Sequence, residues 1–232
     1  MSNTLKIQVP DGTFTGYLAL PAKTPAPGIV VIQEIFGVNA SMRAICDWLA
    51  GEGYCALCPD LFWRIEPGID ITDKTGEELK RAFELYGLFD TPAGMTDIAA
   101  SITSLRNHPA CNGQVGTLGF CLGGNLAYLA ATQTDTDVSV SYYGVGIDQV
   151  LDEAKNITKP LLLHIAGKDE FVPPSAQESV IKTFENHPLV KTYHYADRDH
   201  AFARPDGSHY HKEDADLANA RSLAFLKSTF SA

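Results

Sequence analysis

The sequence lacks any apolar run approaching the roughly 18 residues that a membrane span requires. Its first segment, Met1 to Pro10, also lacks the basic-then-apolar order of a secretory signal. A cytoplasmic location with no membrane partner is therefore expected. Lys/Arg-rich runs are missing too: 18 basic residues face 28 acidic ones, and a formal charge of −10 repels a polyanion, so no nucleic-acid partner is expected. Internal repeats, low-complexity tracts and Gly/Ser-rich linkers are absent, which points to one domain over residues 1–232. Cysteines are few and odd in number (Cys46, Cys55, Cys58, Cys111 and Cys121), a set that favours free thiols over a disulfide framework. At least one thiol is thus available for chemistry. The acidic balance does not exclude a small anionic substrate, because an arginine inside a pocket acts at hydrogen-bonding range.

What is present is ordinary globular composition, 45% hydrophobic and 20% charged. Strand pattern runs from Thr13 to Leu20 and again from Ile29 to Ile32, the second so apolar that it suits a strand buried on both faces. Helical pattern follows from Ser41 to Leu49, then a strand from Tyr54 to Cys58 that ends at Pro59. Leu79, Phe83 and Tyr86 share one helical face, and Met95, Ile98, Ala99, Ile102 and Leu105 form a longer stripe. The alternation continues with strands at Gln114 to Gly119, Val138 to Tyr142, Pro160 to Ile165 and Lys191 to Tyr195. Helices are expected from Leu122, from Ser175 to Phe184, and around Leu223, Leu226 and Phe230. This rhythm predicts an α/β fold with a mostly parallel central sheet, helices on both faces, and chemistry beyond the carboxyl ends of the strands.

Gly119-Phe120-Cys121-Leu122-Gly123 has the spacing of the G-x-S-x-G nucleophile elbow of the α/β-hydrolase fold, with sulfur replacing the hydroxyl. It falls between an expected strand and an expected helix. The nucleophile of such an elbow occupies a strained turn, and the flanking glycines let backbone pack closely. The N–H of Leu122 then points where an oxyanion would develop. The competing reading makes Cys121 a small buried hydrophobe in a glycine-rich packing site.

Asp169 stands just past the strand ending at Ile165, and His200 stands past the strand ending at Tyr195. Nucleophile, acid and histidine thus follow the chain order of this fold. His200 can exchange a proton with Cys121 while Asp169 fixes its tautomer. Asp197 and Asp199 are rival acids, but close sequence neighbours of His200 reach its ring poorly. His164 and His194 sit in strands, and His209 and His211 form only a His-x-His pair, so no metal site is expected. Cys55-Ala56-Leu57-Cys58 has C-x-x-C spacing inside a strand and reads as core.

Along almost its whole length the sequence resembles the dienelactone hydrolases, or carboxymethylenebutenolidases. The resemblance rests on Gln33-Glu34-Ile35-Phe36-Gly37, Cys58-Pro59-Asp60-Leu61, Gly119 to Gly124, Tyr142-Tyr143-Gly144 and His200-Ala201-Phe202-Ala203-Arg204. It implies Cys121, Asp169 and His200 as a triad, Glu34 beside the thiol, and an oxyanion hole from the N–H groups of Ile35 and Leu122. It further implies that Arg204 and Arg81 hold a substrate carboxylate. The family pattern has a tyrosine four residues after the latter arginine; here Leu85 stands in that place and Tyr86 is the neighbouring candidate. Arg81 also reads simply as part of a solvated helix face beside Lys80 and Glu84.

The expected activity is opening of a carboxylated enol-lactone through a thioester, without metal or organic cofactor. A general carboxylesterase or thioesterase using the same residues is the nearest alternative. A non-catalytic small-ligand binding protein is the alternative from another class, because fold alone does not prove chemistry.

Overall fold

The computed structural model describes residues 3–231. Met1 and Ser2, where the N-terminal expectation begins, and Ala232 lie outside the described residues. The chain divides into two compact units, one ending at Thr117 and the other beginning at Leu118. Among the described residues the strands form an eight-stranded sheet in the order β1-β2-β4-β3-β5-β6-β7-β8. These are β1 Thr4–Val9, β2 Gly12–Ala19, β3 Ala26–Ile32, β4 Cys55–Pro59, β5 Cys111–Phe120, β6 Ser139–Tyr142, β7 Leu161–Ala166 and β8 Val190–Tyr195.

In the first unit, β1 pairs antiparallel with β2 and β2 antiparallel with β4, whereas β3 runs parallel to β4. Ile29, Val30, Val31 and Ile32 on β3 are all fully buried, as expected for a strand covered on both faces. The helices of this unit are α1 Ala40–Gly51, α2 Gly76–Leu88 and α3 Thr91–Arg106. Each begins at a polar cap: Asn39, Thr75 and Asp90 accept from Met42, Glu78 and Ala93 N–H respectively.

In the second unit, β6, β7 and β8 run parallel. The helices here are α4 Leu122–Gln133, α5 Pro174–Phe184 and α6 Lys212–Phe230. Loops that follow β5, β7 and β8 carry Cys121, Asp169 and His200, each past the carboxyl end of its strand.

Three features depart from the sequence reading. Strand β1 was hidden in the polar N-terminal segment, although Ile7 and Val9 point inward on alternate positions. A kinked 3-10 stretch, Ile147–Asn156, broken at Val150, follows β6. Helix α2 buries Ala82 and Leu85 and leaves Phe83 and Tyr86 exposed, so its buried face is rotated from the aromatic one. Cys55 and Cys58 are buried core residues, as their strand position implied.

Candidate active site

The elbow is built by close approach. A Cβ at Gly119 would lie 1.9 Å from the carbonyl oxygen of Gly123, and one at Gly124 would lie 2.5 Å from that of Tyr142. Only glycine fits either place. Cys121 itself has φ 55° and ψ −116°, a region that costs an L-residue on the order of 1–3 kcal/mol and persists only when neighbours hold it. They do: Cys121 N–H donates to Tyr142 O at 3.1 Å, and Cys121 O accepts from Gly124 N–H at 3.0 Å and Val145 N–H at 3.3 Å. The strained turn lifts the side chain out of the strand line, and Cys121 is half-buried. Leu122 N–H opens α4, among the donors that a helix's own ladder leaves unsatisfied.

Two backbone bonds bring the acid and the histidine together. Gly167 N–H donates to Tyr195 O at 2.9 Å and Lys168 N–H to Arg198 O at 2.8 Å, zipping the loops after β7 and β8. A Cβ at Gly167 would stand 2.5 Å from Ala196 O, so glycine is required for this approach. The result is a 2.7 Å bond between His200 Nδ1 and Asp169 Oδ2, both side chains buried. Asp169 Oδ1 accepts from Phe171 N–H at 2.9 Å, which fixes the carboxylate plane. A carboxylate only accepts, so Nδ1 carries the proton and Nε2 is left for sulfur.

His200 combines burial with charge. Burial alone would lower its pKa, but the Cys121 sulfur, by charge and hydrogen bond, and the Asp169 carboxylate together push it up to about 10. The imidazole is bracketed by the rings of Phe171, 4.8 Å away and edge-on, and Tyr143, 5.1 Å away. Neither aromatic was given a role from sequence. Tyr143 falls within a family-like block, whereas Phe171 carries no local signal, since only the tertiary approach of two loops brings it to His200. His209 Nδ1 also meets His200 O at 3.2 Å, tying the loop down.

Arg204 is buried, one turn beyond His200, with its N–H donating to Ala201 O at 3.0 Å. Asp197, a rival acid, pairs at the surface with Lys168 at 3.1 Å. In the first unit, Glu34 is buried just past β3, and Ile35 follows it, also buried. Arg81 is spent on Glu66 at 2.6 Å and Glu84 at 3.1 Å, and Tyr86 is exposed. The bland reading of Arg81 as a surface ion-pairing residue therefore fits its surroundings. Among the described residues no cluster of three His, Cys, Asp or Glu side chains could hold a metal ion, and no helix is long and apolar enough to cross a membrane.

Residues 14–230 match the model of the dienelactone hydrolase family. The chain belongs to that family. A Pseudomonas putida carboxymethylenebutenolidase is 41% identical over 227 residues, covering 97% of this chain and 96% of its own. A protein of Azospirillum brasilense, provisionally named a carboxymethylenebutenolidase, is 49% identical over 228 residues and 94% of each chain. Among solved structures, a provisionally named dienelactone hydrolase from Klebsiella pneumoniae superposes with a TM-score of 0.83 at 24% identity, covering 96% of each chain. That likeness speaks for the α/β-hydrolase fold. The family and these relatives make this dienelactone hydrolase family member an enzyme that hydrolyses carboxylic ester or lactone bonds.

Proposed function

We propose that the protein opens a carboxylated enol-lactone of the dienelactone type, with Cys121 as nucleophile and His200 and Asp169 as its proton-handling partners. The observation that carries this reading is the 2.7 Å bond between His200 and Asp169, on a buried imidazole that the Cys121 sulfur and that carboxylate together drive toward its charged form. A free thiol is mostly protonated at neutral pH, and an imidazolium beside it favours thiolate.

Thiolate attacks the lactone carbonyl, forming the C–S bond while the carbonyl electrons move onto oxygen. The N–H groups of Leu122 and Ile35 are assigned to that oxyanion. Collapse breaks the ring C–O bond and expels an enolate, which takes a proton from His200; an enolate is a comparatively good leaving group and needs little acid help. Water, deprotonated by His200, then cleaves the thioester and returns the thiol. Glu34 is assigned to thiolate formation, following the resemblance of the Gln33-Glu34 block, and Arg204 to the substrate carboxylate through paired charge-assisted bonds.

The single-domain reading is kept as part of this proposal, on the support of a family match that runs unbroken across the boundary between the two units. Five free cysteines support a reducing compartment such as the cytoplasm. The net charge supports a small-molecule rather than a nucleic-acid partner.

A second reading, a general carboxylesterase or thioesterase on the same triad, is favoured by one observation: Arg81 already has two carboxylate partners. The deciding experiment assays a panel of carboxylated lactones and neutral esters with wild type and Cys121→Ala. Preference for the anionic lactones, abolished by Cys121→Ala, is expected. Equal turnover of both classes would favour the general esterase, and residual activity in Cys121→Ala near wild type would overturn the nucleophile.

A further inference from the structure

The Glu34–Ile35 peptide presents its N–H at Ile35 and its C=O at Glu34, and in a trans peptide these two groups point in opposite directions. Whatever grips the carbonyl therefore aims the N–H. The side-chain amide of Gln33 is fully buried and lies where it can do this: its Nε2 donates to Glu34 O at 3.4 Å, while its Oε1 accepts from Leu61 N–H at 3.1 Å. The Leu61 bond comes from the loop after β4 and holds the amide from one side, so its NH2 group turns toward the peptide carbonyl. Burial leaves it no alternative solvent partner.

Neighbouring bonds deny the segment freedom to turn. Phe36 O accepts from Ile71 N–H at 3.2 Å. Gly37 has φ +75°, and a Cβ there would fall 2.0 Å from Ile69 O, so the chain is pressed onto the 60–72 loop by a contact that only glycine permits. Further along, one Arg43 amino group bonds Val38 O at 2.6 Å and Asp70 Oδ2 at 2.7 Å. The segment is thus fastened on the Phe36 side by backbone and on the Glu34 side by Gln33.

We infer that Gln33 is a positioning residue for the hydrolytic reaction: its buried amide sets the plane of the Glu34–Ile35 peptide and so the direction of the Ile35 N–H. The inference rests on the proposed role of that N–H as an oxyanion donor. A hydrogen bond to the carbonyl also polarises the amide and strengthens its donor end. A preorganised donor lowers the barrier without being reoriented during reaction, so misaiming it costs turnover more than binding.

The test compares two reactions of the same sulfur. Alkylation of Cys121 by iodoacetamide is a displacement at saturated carbon and develops no carbonyl oxyanion. Ester hydrolysis, and reversible addition of a trifluoromethyl ketone to the thiolate, both do. Gln33→Met removes donor and acceptor at similar length. Expected for this variant are a kcat lowered about 10- to 100-fold, a KM within about threefold, a trifluoromethyl ketone Ki raised about as much as kcat falls, and an alkylation rate within about twofold of wild type. Should Gln33→Met fail to fold, Gln33→Glu keeps an acceptor for Leu61 N–H; its kcat relative to wild type should recover as the pH is lowered and its carboxyl regains a donor hydrogen. Unchanged kcat, or equal losses in alkylation and ketone binding, would overturn the inference. Failure of the underlying reading looks different: wild type would stay active after Cys121 alkylation, whatever the Gln33 variants did.

Discussion

Two imidazoles in the second unit, His164 and His200, are both buried, and their proton affinities diverge. His164 lies within β7 and meets neutral hydroxyls, Tyr195 at 2.9 Å through Nδ1 and Ser222 at 2.9 Å through Nε2. Burial, with a smaller push from Arg221, drives its pKa down to about 3. Burial opposes charge on His200 too, yet the Cys121 sulfur and Asp169 carboxylate carry it up to about 10. The comparison teaches that burial does not decide what a histidine does; the charge of its partner does. A neutral cluster, extended by Tyr142 to Ser222 at 2.6 Å, makes structure. A charged chain favours the protonated ring, as the proposed role of His200 requires.

The largest expected effect comes from making the His200 surroundings neutral. Asp169→Asn should leave the fold intact and lower kcat/KM by about 10³- to 10⁴-fold, since an amide can hold the wrong tautomer and cannot balance imidazolium. Asp197→Asn, changing a surface pair with Lys168, should stay within about threefold. Steady-state kinetics of both variants decides; the reverse ranking would transfer the orienting role to Asp197.

Next in size is Arg204→Met, which asks whether the same charge logic reaches the substrate. Loss of a buried bidentate contact costs on the order of 2–3 kcal/mol, or about 30- to 150-fold in kcat/KM, for a carboxylated lactone. Neutral methyl or nitrophenyl esters should change only a few-fold. Equal losses would mean that Arg204 braces the His200 loop.

At His164 the effect should appear in stability. His164→Phe keeps a ring against Tyr142, whose centroid is 4.4 Å away, but takes one buried partner from each of the Tyr195 and Ser222 hydroxyls. Urea unfolding should show a loss of about 1–3 kcal/mol, with kcat per folded molecule within a few-fold. A catalytic loss rivalling that of Asp169→Asn would erase the contrast between the two histidines.

The last expected effect is a difference in sign. His164 has a folded pKa of about 3 against 6.5 in the unfolded chain, so its contribution is intact above 6.5 and falls as pH drops toward 3. For His200, with a folded pKa of about 10, the contribution is full below 6.5 and is lost as pH rises through 10. Neither slope can exceed about 1.4 kcal/mol per pH unit. Stability measured from acid to alkaline pH should therefore flatten on the acid side in His164→Phe and on the alkaline side in His200→Gln. Flattening on the same side in both would contradict the opposed shifts.

Much of this was legible in sequence wherever local chemistry dictates geometry. The elbow could be read because Gly119 and Gly124 are forced by contacts within a few residues and one neighbouring strand. Asp169 and His200 could be placed because each follows a strand whose end was marked by pattern. The aromatic bracket around His200 could not, since Phe171 reaches it only after two loops zip together. Aromatic size misled at α2, where small Ala82 and Leu85 face inward instead of Phe83 and Tyr86. His164 read as an ordinary strand residue; its bonds to Ser222 on α6 and Tyr195 on β8 depend on packing that no local pattern encodes. Cys111 proved half-buried like Cys121, so exposure alone does not distinguish the two thiols. What sets Cys121 apart is its place at the turn between β5 and α4, beside His200.

The central claim, that Cys121 is the nucleophile working with His200 and Asp169, is tested most directly by acid-quenching the enzyme during turnover of a carboxylated lactone and mapping the acyl group by peptide mass spectrometry. The account predicts a thioester adduct on the Cys121 peptide, absent from Cys46, Cys55, Cys58 and Cys111, and loss of turnover once Cys121 is alkylated. An acyl group on another residue, or full turnover with Cys121 alkylated, would contradict it.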